Sequence, residues 1–324
     1  MKGKILLLVL LVIILIVVVY GFRNSSDDEN VGSAQLTPFE FIIDWQAEPT
    51  YLGVYYARSS GLFERLGLDV DIITSWGAHN VTSSVAAGKY KIGTASGGAT
   101  VIANSNGAEI VSLGVLYPKI PTTLFGLGSK GIEAPEDLKG KRIGVYPNSI
   151  TKDELKAFMK INGINDDDVE IVSLTGADIP LVLSDTIDAS LNYTELSPVQ
   201  LALDNEVYEI LLAEYGVTGY GLNIVTSRSA YETEQELIRD VSRAVVRAYR
   251  DGCRNKDDAV ASFLEEFPEK DPNYVANSWE RVCDKLIDGN YGDQNERGWQ
   301  ETIDTYKELG LLGDTVFTTR DILP

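Results

Sequence analysis

FEFIIDWQAEPTYLGVYYARSSGLFERLGLDVDIIT, residues 39–74, decides the fold class. Apolar residues crowd 39–45 and again 68–74, which predicts two strands. Residues 50–60 between them read as a helix, and Gly61 stops it. The rhythm continues downstream. Asn80 caps a short helix that ends at Gly88, residues 91–95 form the next strand, 97–105 a helix and 109–117 a strand. Strands alternating with helices imply a mostly parallel sheet covered by helices.

A second set begins after Leu127. Residues 135–140 (PEDLKG) form a short helix with a glycine stop, and 141–146 a strand. The helix 151–161 has its own stop at Gly163. Residues 169–174, 187–191 and 209–212 fit strands, with helices at 179–184 and 195–204 between them. Residues 222–226 form a further strand, and nearly everything after it is helical. A chain of 324 residues exceeds one compact core. Two α/β lobes are therefore expected: 39–126 with 221–324, and 127–220, joined by a two-stranded hinge crossing out near Gly126 and back near Tyr220.

Upstream, Met1-Lys2-Gly3-Lys4 is basic, and residues 5–22 are 18 residues without a charge. A membrane-crossing helix needs about 20 apolar residues, whereas a signal-peptide core is typically about 7–15. Residues 1–23 are expected to be an uncleaved membrane anchor and 24–38 a polar linker. Gly32-Ser33-Ala34 leaves cleavage as the alternative. Basic residues before the run place the short end in the cytoplasm and the bulk of the chain outside the cell. The chain carries 28 basic against 48 acidic residues, a formal charge of −20. Such a surface repels nucleic acid and anionic membrane.

Cys253 and Cys283, the only cysteines, lie in helical patterns separated by a break at Pro268 and Pro272. They read either as a disulfide, which persists outside the cell, or as two buried thiols. Two Cys and one His cannot build a Cys/His zinc cage; no metal and no cofactor is expected. There is no G-x-S-x-G, H-E-x-x-H or C-x-x-C. His79 has no adjacent nucleophile or acid, so an enzyme is not expected.

Parallel sheets bind ligands in loops beyond the carboxyl ends of their strands, and five loops qualify. Residues 44–51 hold Trp45, Glu48 and Tyr51: rings to stack on a planar ligand and a carboxylate to accept from an amine. Residues 75–80 offer Trp76 as a wall. Residues 94–100 place Ser96 and Gly97 at a helix start, where backbone N–H groups suit an acceptor. Residues 145–151 repeat that logic in the second lobe with Asn148 and Ser149. Residues 192–195 bring Asn192, Tyr193 and Glu195 to a strand exit. Tyr117, Thr122 and Tyr220 flank the crossovers. Each also fits a bland role: core ring, tight turn, helix cap or solvated acid.

Asp44-Trp45, Gly53-Val54-Tyr55-Tyr56-Ala57, Gly61-Leu62-Phe63 and Gly67-Leu68-Asp69-Val70 resemble the opening of thiamine-pyrimidine-precursor-type substrate-binding proteins. Residues 135–145 (PEDLKGKRIGV) look like the start of their second lobe, and Asn192-Tyr193-Thr194-Glu195 and Tyr215-Gly216-Val217 like two later signatures. The resemblance covers 39 to about 310. It implies a type II periplasmic-binding-protein fold, a monomer closing on a small molecule, and an ABC-importer permease as partner. It also implies that Trp45, Glu48, Tyr51, Tyr193 and Glu195 hold an aminopyrimidine; riboflavin-like, sulfonate or nitrate ligands and a sensor ectodomain are the alternatives. The opening departs from the family's usual form, with Ala47-Glu48 for Pro-Asn and Tyr51 for His. The family also contains cytosolic enzymes that build the pyrimidine from pyridoxal phosphate and their own His, a chemistry this chain is not expected to share.

Overall fold

The computed structural model describes residues 35–324 apart from 148 and 288. The expected anchor lies outside them, and no helix among the described residues is long and apolar enough to cross a membrane.

Ten strands form two five-stranded sheets. They are β1 (Thr37–Ile42), β2 (Leu68–Ile73), β3 (Ile92–Ser96), β4 (Ile110–Val115) and β5 (Thr122–Leu127), then β6 (Arg142–Val145), β7 (Glu170–Ser173), β8 (Ala189–Tyr193), β9 (Val207–Leu211) and β10 (Leu222–Ser227). The first sheet runs β2-β1-β3-β10-β4 and the second β7-β6-β8-β5-β9. β1 is parallel to β3, and β6 to both β7 and β8. β10 is antiparallel to β3 and β4, and β5 to β8 and β9.

Both sheets are therefore mixed rather than mostly parallel. The cause is the double crossing. Each antiparallel strand is the one that follows a crossing, and it enters its sheet from the opposite end. This corrects the expected outgoing boundary at Gly126. The crossing lies between β4 and β5, and Thr122–Leu127 belongs to the second sheet, where Thr122 pairs with Tyr193 and Leu124 with Leu191. The return leads from Tyr220 into β10. At this return Gly97 lies against the neighbouring main chain. A Cβ there would sit 2.3 Å from the Tyr220 carbonyl oxygen, a space only glycine leaves open.

The helix Gln235–Arg254 covers the first sheet. Val241, Val245, Ala248 and Tyr249 are buried along it at helical spacing. It packs on the helix Leu52–Ser59, where Gly53 admits the Tyr249 ring. A disulfide joins Cys253 at its end to Cys283, with Cα atoms 5.4 Å apart. The second lobe has its own core around Ile143, Leu155, Phe158 and Leu191.

The helix Glu296–Glu308 packs on the helix Gly97–Ser105. Tyr306 lies directly over Gly98, whose missing Cβ would fall 2.0 Å from the Tyr306 hydroxyl. Gly98→Ala is expected to cost about 1–3 kcal/mol by overpacking and to push that hydroxyl off Glu154, to which it donates at 2.9 Å. Chemical denaturation checks this. A variant as stable as the parent would show that the ring yields freely.

Candidate functional site

β1 ends at Ile42, earlier than the apolar run suggests, and residues 43–48 turn across the carboxyl edge of the first sheet. Asp44 is 5% exposed. Its backbone N–H donates to the Thr94 hydroxyl at 3.3 Å, and that hydroxyl donates back to Oδ1 at 2.7 Å. Burial pushes this carboxyl up to about 6, opposed by hydrogen bonds from Thr94 and Tyr51. Trp45 projects beside it and meets Trp76 and Tyr146 edge-on, with centroids 5.5 and 5.9 Å away.

A cavity of about 100 Å³ lies here between the lobes. From the first lobe come Asp44, Trp45, Tyr51, Gly77 and Ala78. The second lobe brings Tyr146, Ser149, Ile150 and Thr151 on one side, and Leu191, Asn192, Tyr193 and Leu196 on the other. Two helices begin at its wall, Ala78–Ala86 and Ile150–Ile161, so their N-terminal N–H groups and positive dipole ends border it. No Lys, Arg or His is among the described residues that line it.

Five residues singled out from the sequence reach this cavity: Trp45, Tyr51, Ser149, Asn192 and Tyr193. Asn148 lies outside the described residues. The others do different work. Glu48 is paired with Lys270 at 3.0 Å and accepts from the Tyr274 hydroxyl at 3.1 Å, because the helix Pro272–Arg281 comes down on its loop. Trp76 is 70% exposed at the rim. Ser96 caps its helix by accepting from the Ala99 N–H at 3.2 Å. The Tyr220 ring packs on Trp299, and its hydroxyl accepts from the Asn295 N–H.

Glu195, Tyr117 and Thr122 are buried in the seam between the lobes. Glu195 is 0% exposed and its Oε1 accepts from the Thr50 hydroxyl at 2.7 Å, while the Tyr117 hydroxyl donates to the Thr50 carbonyl at 3.4 Å. Burial pushes Glu195 up to about 7. Glu154 is held between the hydroxyls of Thr122 and Tyr306, and burial pushes it also to about 7. At the far side of the seam Arg281 donates to the Thr194 carbonyl at 2.8 Å and pairs with Glu209 at 2.7 Å. His79, on the first lobe, stands 3.9 Å from Asp153 on the second.

The lining residues not singled out are Asp44, Gly77, Ala78, Tyr146, Ile150, Thr151, Leu191 and Leu196. Six of them stand within the candidate loops 44–51, 75–80 and 145–151; the apolar Leu191 and Leu196 carry no signal that separates a ligand wall from core.

A sequence model described as NMT1/THI5 like matches residues 48–259. The chain is 23% identical over 289 residues to the formylaminopyrimidine-binding protein of Halalkalibacterium halodurans, covering 86% of each. It is 28% identical over 161 residues to the 4-amino-5-hydroxymethyl-2-methylpyrimidine phosphate synthase of Schizosaccharomyces pombe, covering 50% of this chain and 46% of that enzyme. The chain thus spans about half the length of the fungal synthases it matches. The periplasmic aliphatic sulphonate binding protein SsuA from Escherichia coli superposes with a TM-score of 0.71 at 15% identity, over 89% of this chain and 92% of that one. That likeness gives the fold, the α/β architecture of periplasmic binding proteins. With the sequence model spanning well over half of its length, the chain belongs to the NMT1/THI5-like family.

Proposed function

We propose that this protein is an extracytoplasmic solute-binding protein that captures a small aminated heterocycle, an aminopyrimidine above all, and delivers it to an ABC-type importer. The observation that carries the reading is the make-up of the interlobe cavity. Trp45, Tyr146 and Tyr193 supply ring faces for a planar guest. Asp44 supplies a buried acceptor for its N–H groups. The two helix N-termini supply donors for its ring nitrogens or a formyl oxygen. At about 100 Å³ the cavity is small beside the roughly 300–1,000 Å³ of drug-sized sites. That volume favours one substituted ring over a tricyclic flavin. The lack of a lining cation among the described residues, with Asp44 present, disfavours sulfonate and nitrate.

Binding would be completed by closure, the second lobe adding Tyr146, Asn192 and Tyr193 to contacts made by the first. In this reading residues 1–23 tether a monomer to the outer face of the cell membrane beside its permease, and the protein binds its ligand without transforming it.

Isothermal calorimetry with formylaminopyrimidine, hydroxymethylpyrimidine, riboflavin, an alkanesulfonate and nitrate tests this. Binding of an aminopyrimidine is expected, and Trp45→Ala should weaken it about 10- to 100-fold through lost stacking. Binding confined to sulfonate or nitrate, or release of a chemically altered pyrimidine, would overturn the proposal.

A further inference from the structure

Asp178 does not line the cavity, yet it is tied to Asn192, which does. It precedes the short helix Ile179–Leu183 and is 3% exposed. Its Oδ1 accepts from the Ile179 N–H at 2.9 Å and from the Ser197 hydroxyl at 2.9 Å. Its Oδ2 faces the Ser190 hydroxyl at 3.4 Å and accepts from Asn192 Nδ2 at 3.3 Å.

The consequence falls on Asn192. An amide side chain has two N–H donors and one oxygen acceptor. Both donors of Asn192 are engaged, one by Asp178 and one by Ser197 Oγ at 2.7 Å. The flipped amide is excluded. Ser197 commits its only proton to Asp178, so its oxygen is left to accept, and an Asn192 oxygen turned toward these two would meet acceptors alone. Asn192 Oδ1 accepts once, from the Tyr193 N–H at 2.8 Å. A second lone pair on that oxygen is all the hydrogen-bonding capacity the residue has left for a guest.

We infer that Asp178 is a specificity-determining positioning residue: acting through Ser197, it locks the Asn192 amide with its oxygen available to the cavity, so that the site selects a ring bearing an N–H donor over one bearing a carbonyl at the same place. This rests on the proposed binding of an aminated heterocycle and deepens it. With Asp44 on the opposite lobe, the cavity then presents acceptors from both lobes. An amino group can serve such a pair of acceptors and a carbonyl can serve neither.

The test is a ratio of affinities. A 4-aminopyrimidine and the corresponding pyrimidin-4-one, otherwise identical, are titrated by calorimetry into the wild type, Asp178→Asn and Ser197→Ala. The wild type is expected to prefer the amine by about tenfold or more. Asp178→Asn keeps the shape but replaces an acceptor by a donor, frees the Asn192 amide to turn, and should reduce the preference to near unity. Ser197→Ala, a milder change that still folds if Asp178→Asn does not, should shift the ratio the same way by a smaller factor. A loss of general packing would weaken both probes alike and leave the ratio where it was. An unchanged ratio in both variants overturns the inference while leaving the binding role standing. A wild type that binds neither probe overturns both.

Discussion

Replacing Cys253 and Cys283 together by serine is expected to lower the melting temperature by roughly 5–15 °C. The bridge spans a sequence separation of 30. Closing a loop of that size restricts the unfolded chain by about 3–4 kcal/mol in the chain-entropy account. Its position adds a second consequence. Cys283 lies two residues beyond the helix Pro272–Arg281, which ends in the arginine that reaches Thr194 and Glu209 on the second lobe. The same helix carries Tyr274, which donates to Glu48 beneath the ligand loop. The bridge therefore anchors both a latch between the lobes and the floor of the first binding loop. Thermal melts of the double-serine variant, and of the wild type under reductant, should agree. The affinity for a bound aminopyrimidine should also fall, because the closed form loses its fixed partner for Glu209. A double variant melting within about 2 °C of the wild type would show that packing alone holds this helix pair.

The alternating pattern from residue 39 onward was enough to read two α/β lobes. Apolar periodicity reports which face of an element is buried, and that is a local property. Strand order and direction are not local. Thr122–Leu127 follows β4 after a short connection, and its apolar run gives no hint that it belongs to the other sheet. Only the antiparallel pairing of Leu124 with Leu191 reveals it. The site shows the same division. Trp45, Tyr51, Ser149, Asn192 and Tyr193 reach the cavity because loops at strand ends converge by topology. Glu48 and Asp44 were harder to separate, both being acids in one loop. What distinguishes them is Lys270, distant in sequence, which claims Glu48, and Thr94, which holds Asp44 beside the cavity. Glu195 matched a family signature, yet its Oε1 accepts from Thr50, which approaches from the opposite lobe. Partner choice across a closed cleft depends on contacts no spacing rule encodes.

Those seam carboxylates give the protein an expected acid-side stability maximum. Burial raises Glu154 and Glu195 from near 4.5 to about 7, and Asp44 from near 3.8 to about 6. In each case the folded state holds its proton more tightly than the unfolded chain. The stabilisation is complete below the unfolded value and is lost as pH rises through the folded one. The window is therefore roughly pH 4 to 7, and at about 1.4 kcal/mol per unit each group is worth on the order of 3 kcal/mol. Other groups oppose this trend, His79 and Asp188 among them. Burial lowers His79, whose contribution is lost on acidification. Asp188, held well below the usual carboxylate range by Arg142, its own hydrogen bonds and Lys130, contributes stability present above the unfolded value near 4 and lost below it. The melting temperature should accordingly rise by several degrees between about pH 8 and pH 5.5, then fall steeply below about pH 4. Glu154→Gln, a neutral isostere that can still accept from Tyr306, should raise stability at pH 8 and flatten the rise by about a third. Because opening the cleft would hydrate Glu154 and Glu195, the same protons favour closure, and ligand-free protein should sample the open form more at pH 8 than at pH 6. Small-angle scattering reads this directly as a larger radius of gyration at the higher pH. A melting temperature that is flat or falls from pH 8 to pH 5.5, with Glu154→Gln indistinguishable from wild type, would mean that these carboxylates are hydrated or already neutralised at the seam.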